Sequence, residues 1–328
     1  MTTLTMAKAI NAGLRRAMER DAKVILFGED IGRLGGVFRV TDGLQKDFGD
    51  HRVIDSPLAE SGIVGAAVGM AMRGYRPVLE IQFDGFVYPA FDQIVSQVAK
   101  MHRRSEGTVP MPIVIRIPFG GGIGAVEHHS ESPEAYFAHT AGLRVLTPSD
   151  PQAAYVTIQQ AIASNDPVVY FEPKRRYWDK GEVDETIDVS DPRQVSTPWR
   201  ARVVRTGSDV TLACYGPMVR TCIEAAAATG GTSIEVIDLQ SLSPLDIDTV
   251  VHSVERTGRL VVVHEAASNG GIGAELAARI AERCFYSLEA PVLRVTGYDI
   301  PYPPSRLEEH FLPDLDRILD AVDRSLEF

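Results

Sequence analysis

The chain has 328 residues, 45% hydrophobic and 23% charged, ordinary globular usage that at about 150 residues per domain predicts two domains. Thirty-three basic against 44 acidic side chains leave a net charge of −11, which argues against a nucleic-acid partner, since binding a phosphate backbone needs clustered Lys and Arg. Three scattered cysteines, Cys214, Cys222 and Cys284, exclude a disulfide scaffold, and with neither a signal peptide at the start nor an apolar run near the ~20 residues that cross a bilayer, the expectation is a cytoplasmic protein with no membrane contact.

Met6, Ile10, Leu14, Ala17 and Met18 fall at helical spacing behind Thr5, which can cap the helix. VILFG (24–28) and RVID (52–55) predict buried strands. Residues 58–72 predict a helix with Pro57 just inside its start. VLEIQF (78–83), IVIRI (113–117) and VVYFE (168–172) predict more strands, with helices at 86–101 and 150–163. The stretch from Lys180 to Arg200 carries five acids, two prolines and little apolar periodicity, and reads as a linker. Strands at 210–214, 234–239, 260–265 and 291–297 then alternate with helices at 217–229, 246–256, 274–286 and 313–325. This alternation predicts an α/β fold with mostly parallel sheets covered on both faces. The expected division is a first domain over 1–185, a linker over 186–200 and a second domain over 201–328.

No Walker loop, His-Glu-x-x-His or Gly-x-Ser-x-Gly occurs. NGGIGAEL (269–276) follows a strand and opens a helix, but Leu276 stands where a dinucleotide fingerprint needs Gly or Ala, and no acid ends a following strand at the required distance. A tight turn allowing close helix–sheet approach is the simpler reading, and FGGGIG (119–124) carries the same ambiguity. Gly62, Gly65 and Gly69 share one helix face, a costly choice that points to close approach by a backbone or a flat ligand. Glu60 lies in that helix's first turn, where an acid complements the dipole. In EHHS (127–130) two adjacent histidines point apart and do not share a metal easily. Phe86, Tyr88 and Phe91 read first as core packing.

Taken together, colinear segments carry a more specific message. FGEDIGRLGGVFRVTDGL (27–44), DSPLAESGIVG (55–65), PVLEIQFDGFVYPAFDQI (77–94), EHHSESPEAYFAH (127–139), LTPSDP (146–151), DPVVYFEPKRRY (166–177), VIDLQSLSPLDIDTV (236–250) and VTGYDIPYP (295–303) stand in order along nearly the whole chain. They resemble the β subunit of the thiamine-diphosphate-dependent 2-oxo acid dehydrogenase, the decarboxylating first component of a multienzyme complex. The resemblance implies a pyrimidine-binding domain followed by a transketolase C-terminal domain. It also implies an α2β2 heterotetramer with the cofactor at the α–β boundary. The diphosphate signature Gly-Asp-Gly followed by Asn is missing, the sole Gly-Asp being Gly49-Asp50 before His51, so the diphosphate and its Mg²⁺ are expected on the α subunit.

By position, Glu60 matches the glutamate that hydrogen-bonds the pyrimidine ring nitrogen and shares a proton with it. Phe86 matches the aromatic packed on that ring, with Leu58 and Gln82 its neighbours. His129 matches the histidine beside the thiazolium that handles charge or protons in acyl transfer to lipoamide, and His128 is left as structural. The glycines at 62, 65 and 69 are then expected at a close helix contact across the subunit boundary. A potassium (K⁺) site built from backbone oxygens near Ala161, Ser164 and Asp166 is also implied. A lipoyl acyltransferase component is expected to dock on the C-terminal domain through a basic-faced module. The acidic stretch from Arg306 to Phe328, with seven acids and three arginines, is its candidate surface. HHSESPEAYFAH and VTGYDIPYP look closest to the branched-chain 2-oxo acid (2-oxoisovalerate) type, with pyruvate and acetoin as alternatives. Three other readings are weighed: a transketolase-like enzyme, for whose diphosphate domain the chain has no room; a dinucleotide oxidoreductase, which lacks its fingerprint; and a non-catalytic assembly subunit.

Overall fold

The computed structural model describes all 328 residues. The strands, in chain order, are β1 (Thr2–Thr5), β2 (Val24–Gly28), β3 (Val53–Asp55), β4 (Arg76–Glu80), β5 (Val114–Phe119), β6 (Arg144–Leu146), β7 (Val168–Pro173), β8 (Lys180–Val183), β9 (Arg202–Arg205), β10 (Val210–Cys214), β11 (Ile234–Asp238), β12 (Ser241–Ser243), β13 (Leu260–Ala267) and β14 (Leu293–Gly297). The helices are α1 (Met6–Arg20), α2 (Leu44–Phe48), α3 (Glu60–Met72), α4 (Ala99–Arg104), α5 (Glu134–Ala138), α6 (Pro151–Ala163), α7 (Met218–Ala228), α8 (Ile247–Thr257), α9 (Ile272–Arg283), α10 (Glu308–Phe311) and α11 (Leu315–Leu326).

A seven-stranded sheet runs in the order β12-β6-β7-β5-β4-β2-β3, and a five-stranded sheet in the order β14-β13-β10-β11-β9. Both are parallel except at an edge, where β12 on β6 and β9 on β11 run antiparallel. Strands such as β5 and β7 are buried along their whole length, as expected of central parallel strands covered by helices on both faces. One core packs α1 and α6 against the first sheet. A second core joins the two halves of the chain, with Phe137 and Phe171 in the same apolar cluster as Tyr215, Leu239 and Ile247.

Several expectations need correction. The linker begins later than Lys180, because Lys180–Val183 pairs antiparallel with Thr2–Thr5. Both strands are short and largely polar, and their pairing closes a loop of nearly 180 residues, so no local pattern announces it. The segment that follows is packed down: Val189, Val195 and Trp199 lie against the first core, and the Arg144 guanidinium stacks over Trp199 at 4.4 Å. Pro57 lies outside α3, whose cap is Ala59. The helix expected at 86–101 is broken into a 3₁₀ turn over Asp84–Ala90, a π-helical stretch over Gln93–Val98 and then α4. Thr5 caps α1 as expected, its Oγ1 accepting from the Lys8 N–H at 3.3 Å.

The two glycine-rich segments serve packing. In 269–276, a Cβ on Gly273 would lie 2.7 Å from Nε2 of buried His264, and the Gly273 N–H donates to that nitrogen. In 119–124, the loop turns its N–H groups on carboxylates of this chain: Gly121 donates to Glu265, and Gly122 and Gly124 donate to Glu308. Glu308 is buried, so part of the expected acidic docking stretch is folded inward. All three cysteines are buried and free. No helix is long and apolar enough to cross a membrane.

Candidate active site

Open parallel sheets bind ligands beyond the carboxyl ends of their strands, and the candidate residues gather there. Glu29 and Asp30 follow β2, Leu58 and Glu60 follow β3, Gln82 and Phe86 follow β4, and His129 sits in the long connection after β5. Glu60 opens α3 and is only 8% exposed, yet its carboxylate makes no hydrogen bond within the chain. Beside it, Glu29 accepts the Ala59 N–H at 3.2 Å. Burial and then the charge of Glu60 push the Glu29 carboxyl up. Gln82 Nε2 donates to Asp30 Oδ2 at 3.3 Å, which ties the β4 loop to the β2 loop. Leu58 is 80% exposed.

Phe86 and His129 meet, ring centroids 5.2 Å apart in an edge-on arrangement. Phe83, which pattern reading left in a strand, lies closer, 4.2 Å from the His129 ring. The Nδ1 atom of His129 is buried without a partner. Burial, then the cation of Lys174, hold the His129 imidazole below its ordinary value. His128 points outward beside Glu127.

Beneath the histidine lies an ion pair that sequence reasoning missed. Asp84 and Lys174 are both buried and bonded to each other. Lys174 Nζ also donates to the His129 carbonyl oxygen, and the Glu131 N–H donates to Asp84 Oδ2 at 2.8 Å. Burial outweighs the lysine and raises the Asp84 carboxyl to about 6. The available signal was position: Lys174 directly follows a strand that is buried along its whole length, where a charge has no reason to stand unless it is paired or used.

Other expected features take different places. Gly69 has nothing within 4 Å of a built Cβ, and Gly62 meets only Ala59, so this chain alone supplies no close neighbour for the small-residue face. Around the expected potassium site, the carbonyl oxygens of Ala161 and Asp166 accept from the N–H and Oγ of Ser164. The Arg76 guanidinium donates to the carbonyls of Ile162 and Ser164 at 2.9 and 3.0 Å. A fixed cation already stands at the Ser164 oxygen, and the Ala161 and Asp166 oxygens are engaged by Ser164, so the residues fit a potassium ion poorly.

Residues 2–179 match the family "Transketolase, pyrimidine binding domain" and residues 200–318 match "Transketolase, C-terminal domain". A pyruvate dehydrogenase E1 component subunit beta from Leifsonia xyli is 60% identical, the alignment covering 99% of this chain and 96% of that one. A 3-methyl-2-oxobutanoate dehydrogenase subunit beta from Mycobacterium tuberculosis is 54% identical, over 99% and 92%. A solved structure described as a split-gene transketolase, an inactive β4 tetramer, shares the fold with a TM-score of 0.77 at 22% identity, over 99% of this chain and 98% of that one. The fold is thus that of the transketolase-like thiamine enzymes. Within it, the chain belongs to the E1 β subunits of the 2-oxo acid dehydrogenases.

The residues present fit one end of thiamine diphosphate. A carboxylate with unused acceptors (Glu60), a half-buried aromatic ring (Phe86) and the edge-on imidazole of His129 lie at the same carboxyl end of the first sheet. These can hold an aminopyrimidine and a reacting carbonyl, and none is a cation that could hold a diphosphate.

Proposed function

We propose that this chain is the β half of a shared active site, in an α2β2 heterotetramer that decarboxylates a 2-oxo acid and passes the acyl group to lipoamide of an acyltransferase. The supporting observation is Glu60: a largely buried residue whose carboxylate has no partner in this chain and stays open at its tip is a half-made contact, explained by a ligand that arrives with another chain. Residues 1–185 carry the pyrimidine site, 186–200 the connection and 201–328 the docking domain for the acyltransferase. Thiamine diphosphate, with Mg²⁺ on the α subunit, supplies the nucleophilic carbon and takes up the electron pair when carbon dioxide leaves. Glu60 holds a proton between its carboxyl oxygen and the pyrimidine nitrogen. Phe86 would pack on the pyrimidine, with Leu58 and Gln82 as neighbours lining its pocket. His129, held below its ordinary value by burial and by Lys174, offers its imidazole to take and return a proton during acyl transfer.

The segments 128–139 and 295–303 favour a branched-chain 2-oxo acid. The 60% identity to a subunit named for pyruvate dehydrogenase favours pyruvate as the second reading. Co-purification with the α subunit, then decarboxylation of 2-oxoisovalerate and pyruvate side by side with thiamine diphosphate and Mg²⁺, separates them. Activity is expected only in the mixture. Activity in this chain alone would show a complete cofactor site and refute the shared one, while silence in a stable complex would favour a non-catalytic assembly subunit.

A further inference from the structure

The turn that carries His129 is held from below through its main chain. Lys174 Nζ grips the carbonyl of His129, and Asp84, bonded to Lys174, grips the N–H of Glu131 two residues on. Next to Asp84, Gly85 lies against the backbone of His128 so closely that a Cβ would come within 2.6 Å of its carbonyl oxygen. Phe83 presents its edge to the His129 ring at 4.2 Å, and the Lys174 ammonium lies 5.6 Å from the centroid of the same Phe83 ring. Three consecutive residues after β4 and one after β7 therefore converge on one histidine whose Nδ1 has no partner.

We propose that the Asp84–Lys174 pair is a positioning device for His129, fixing the main chain on either side of its ring and setting a cation behind it, so that acyl transfer depends on the pair more than decarboxylation does. Lys174 and Asp84 are positioning residues, since neither reaches the open face of the site. The charged and titratable groups facing His129 are Lys174 from the end of β7, with its partner Asp84, and His128 and Glu127 from its own turn. Loss of Lys174 removes the nearest cation, so the imidazole gains protons more readily. The kinetic half of this inference rests on the role given to His129 above; the geometric half does not.

The test has two arms. Histidine-labelled full-length chain is titrated by NMR, with the His129 signal assigned by its loss in His129→Asn. In the assembled complex, decarboxylation is followed with ferricyanide as electron acceptor, and acyl transfer with lipoamide. Wild-type His129 is expected to titrate below the ordinary value of about 6.5, and Lys174→Met to move that midpoint up. The same substitution is expected to lower lipoamide acylation at least tenfold more than ferricyanide reduction. Asp84→Asn combined with Lys174→Met removes both buried charges and serves if the single variant does not fold. Equal losses in both assays, or a midpoint unmoved in a folded variant, would overturn the proposal. So would a wild-type midpoint at or above the ordinary value, a reading that needs no variant. A wild-type complex inactive in both assays, with the titration as expected, would refute the function and leave the positioning standing.

Discussion

Glu60 and His128 are separated by chemistry that their surroundings already display. Glu60 is a largely buried residue whose acceptors have no partner in this chain, whereas His128 is a surface side chain next to Glu127. In the assembled complex, Glu60→Ala is expected to lower turnover by about 10²–10⁴-fold, the usual worth of a positioned proton-transfer group. His128→Ala should leave kcat nearly unchanged. Steady-state kinetics with saturating cofactor reads both, and the reverse order of damage would mean that the wrong histidine had been placed in the site. Between the domains, Tyr215 Oη donates to Glu134 Oε1 at 2.5 Å, and burial raises Glu134 to about 7 while it lowers His264 to about 4. For Glu134 the folded state holds its proton more tightly, so its contribution to stability is lost as pH rises from about 4.5 to 7. For His264 the sign reverses, and stability is lost as pH falls from about 6.5 to 4. Glu134→Gln removes the first effect only. The Tm of this variant relative to the wild type is expected to climb from pH 5 to pH 8, by the equivalent of at most about 3 kcal/mol. A difference independent of pH would show that Glu134 is ionised throughout.

Among the elements, α3 shows most clearly what the chain leaves unfinished. Its inner face, with Ile63, Val64, Ala67 and Ala71, is buried, while Gly62 and Gly69 face outward with room around them. Inside a lone chain these glycines only weaken the helix, at up to about 1 kcal/mol each relative to Ala. Gly69→Ala is therefore expected to stabilise the isolated chain by some tenths of a kcal/mol up to about 1 kcal/mol in chemical denaturation. Gly69→Leu should leave the isolated chain folded but impair assembly with the α subunit, measured by analytical ultracentrifugation. Normal assembly of Gly69→Leu would place the subunit boundary elsewhere. The broken helix after β4 makes the converse point. Gly85 and Pro89 sit inside the 3₁₀ turn, where local propensity and the demand to carry Asp84 and Phe86 into the site pull the backbone away from a regular helix. A uniform apolar spacing over 86–101 concealed that conflict.

Across the whole molecule, the two sheets are interlocked rather than strung together. Strand β12 lies after β11 in the second half of the chain yet forms the edge of the first sheet, pairing with β6. Arg202 bridges Asp150 and Asp238, and the buried Glu134, Glu265 and Glu308 bind groups on the opposite half. Thermal unfolding is expected as one cooperative transition, with calorimetric and van't Hoff enthalpies equal for the isolated chain. Two resolved transitions would show that these contacts do not couple the halves.

The residues by themselves determined the alternation of strand and helix, the parallel sheets and the colinear segments whose resemblance points to Glu60, Phe86 and His129 as the proposed thiamine site. The alternation and the sheets are written locally, in apolar periodicity, while the candidate site residues are legible only through the resemblance of the colinear segments to a family. Tertiary structure decided the rest: the pairing of β1 with β8, the transfer of β12 into the first sheet, the inward fold of Glu308, the Arg76 cation at the expected potassium site and the Asp84–Lys174 pair under His129. Each of these joins residues tens to hundreds of positions apart. The free energy that selects them comes from burial and charge pairing that exist only once the strands have assembled, which no local pattern in the chain can record.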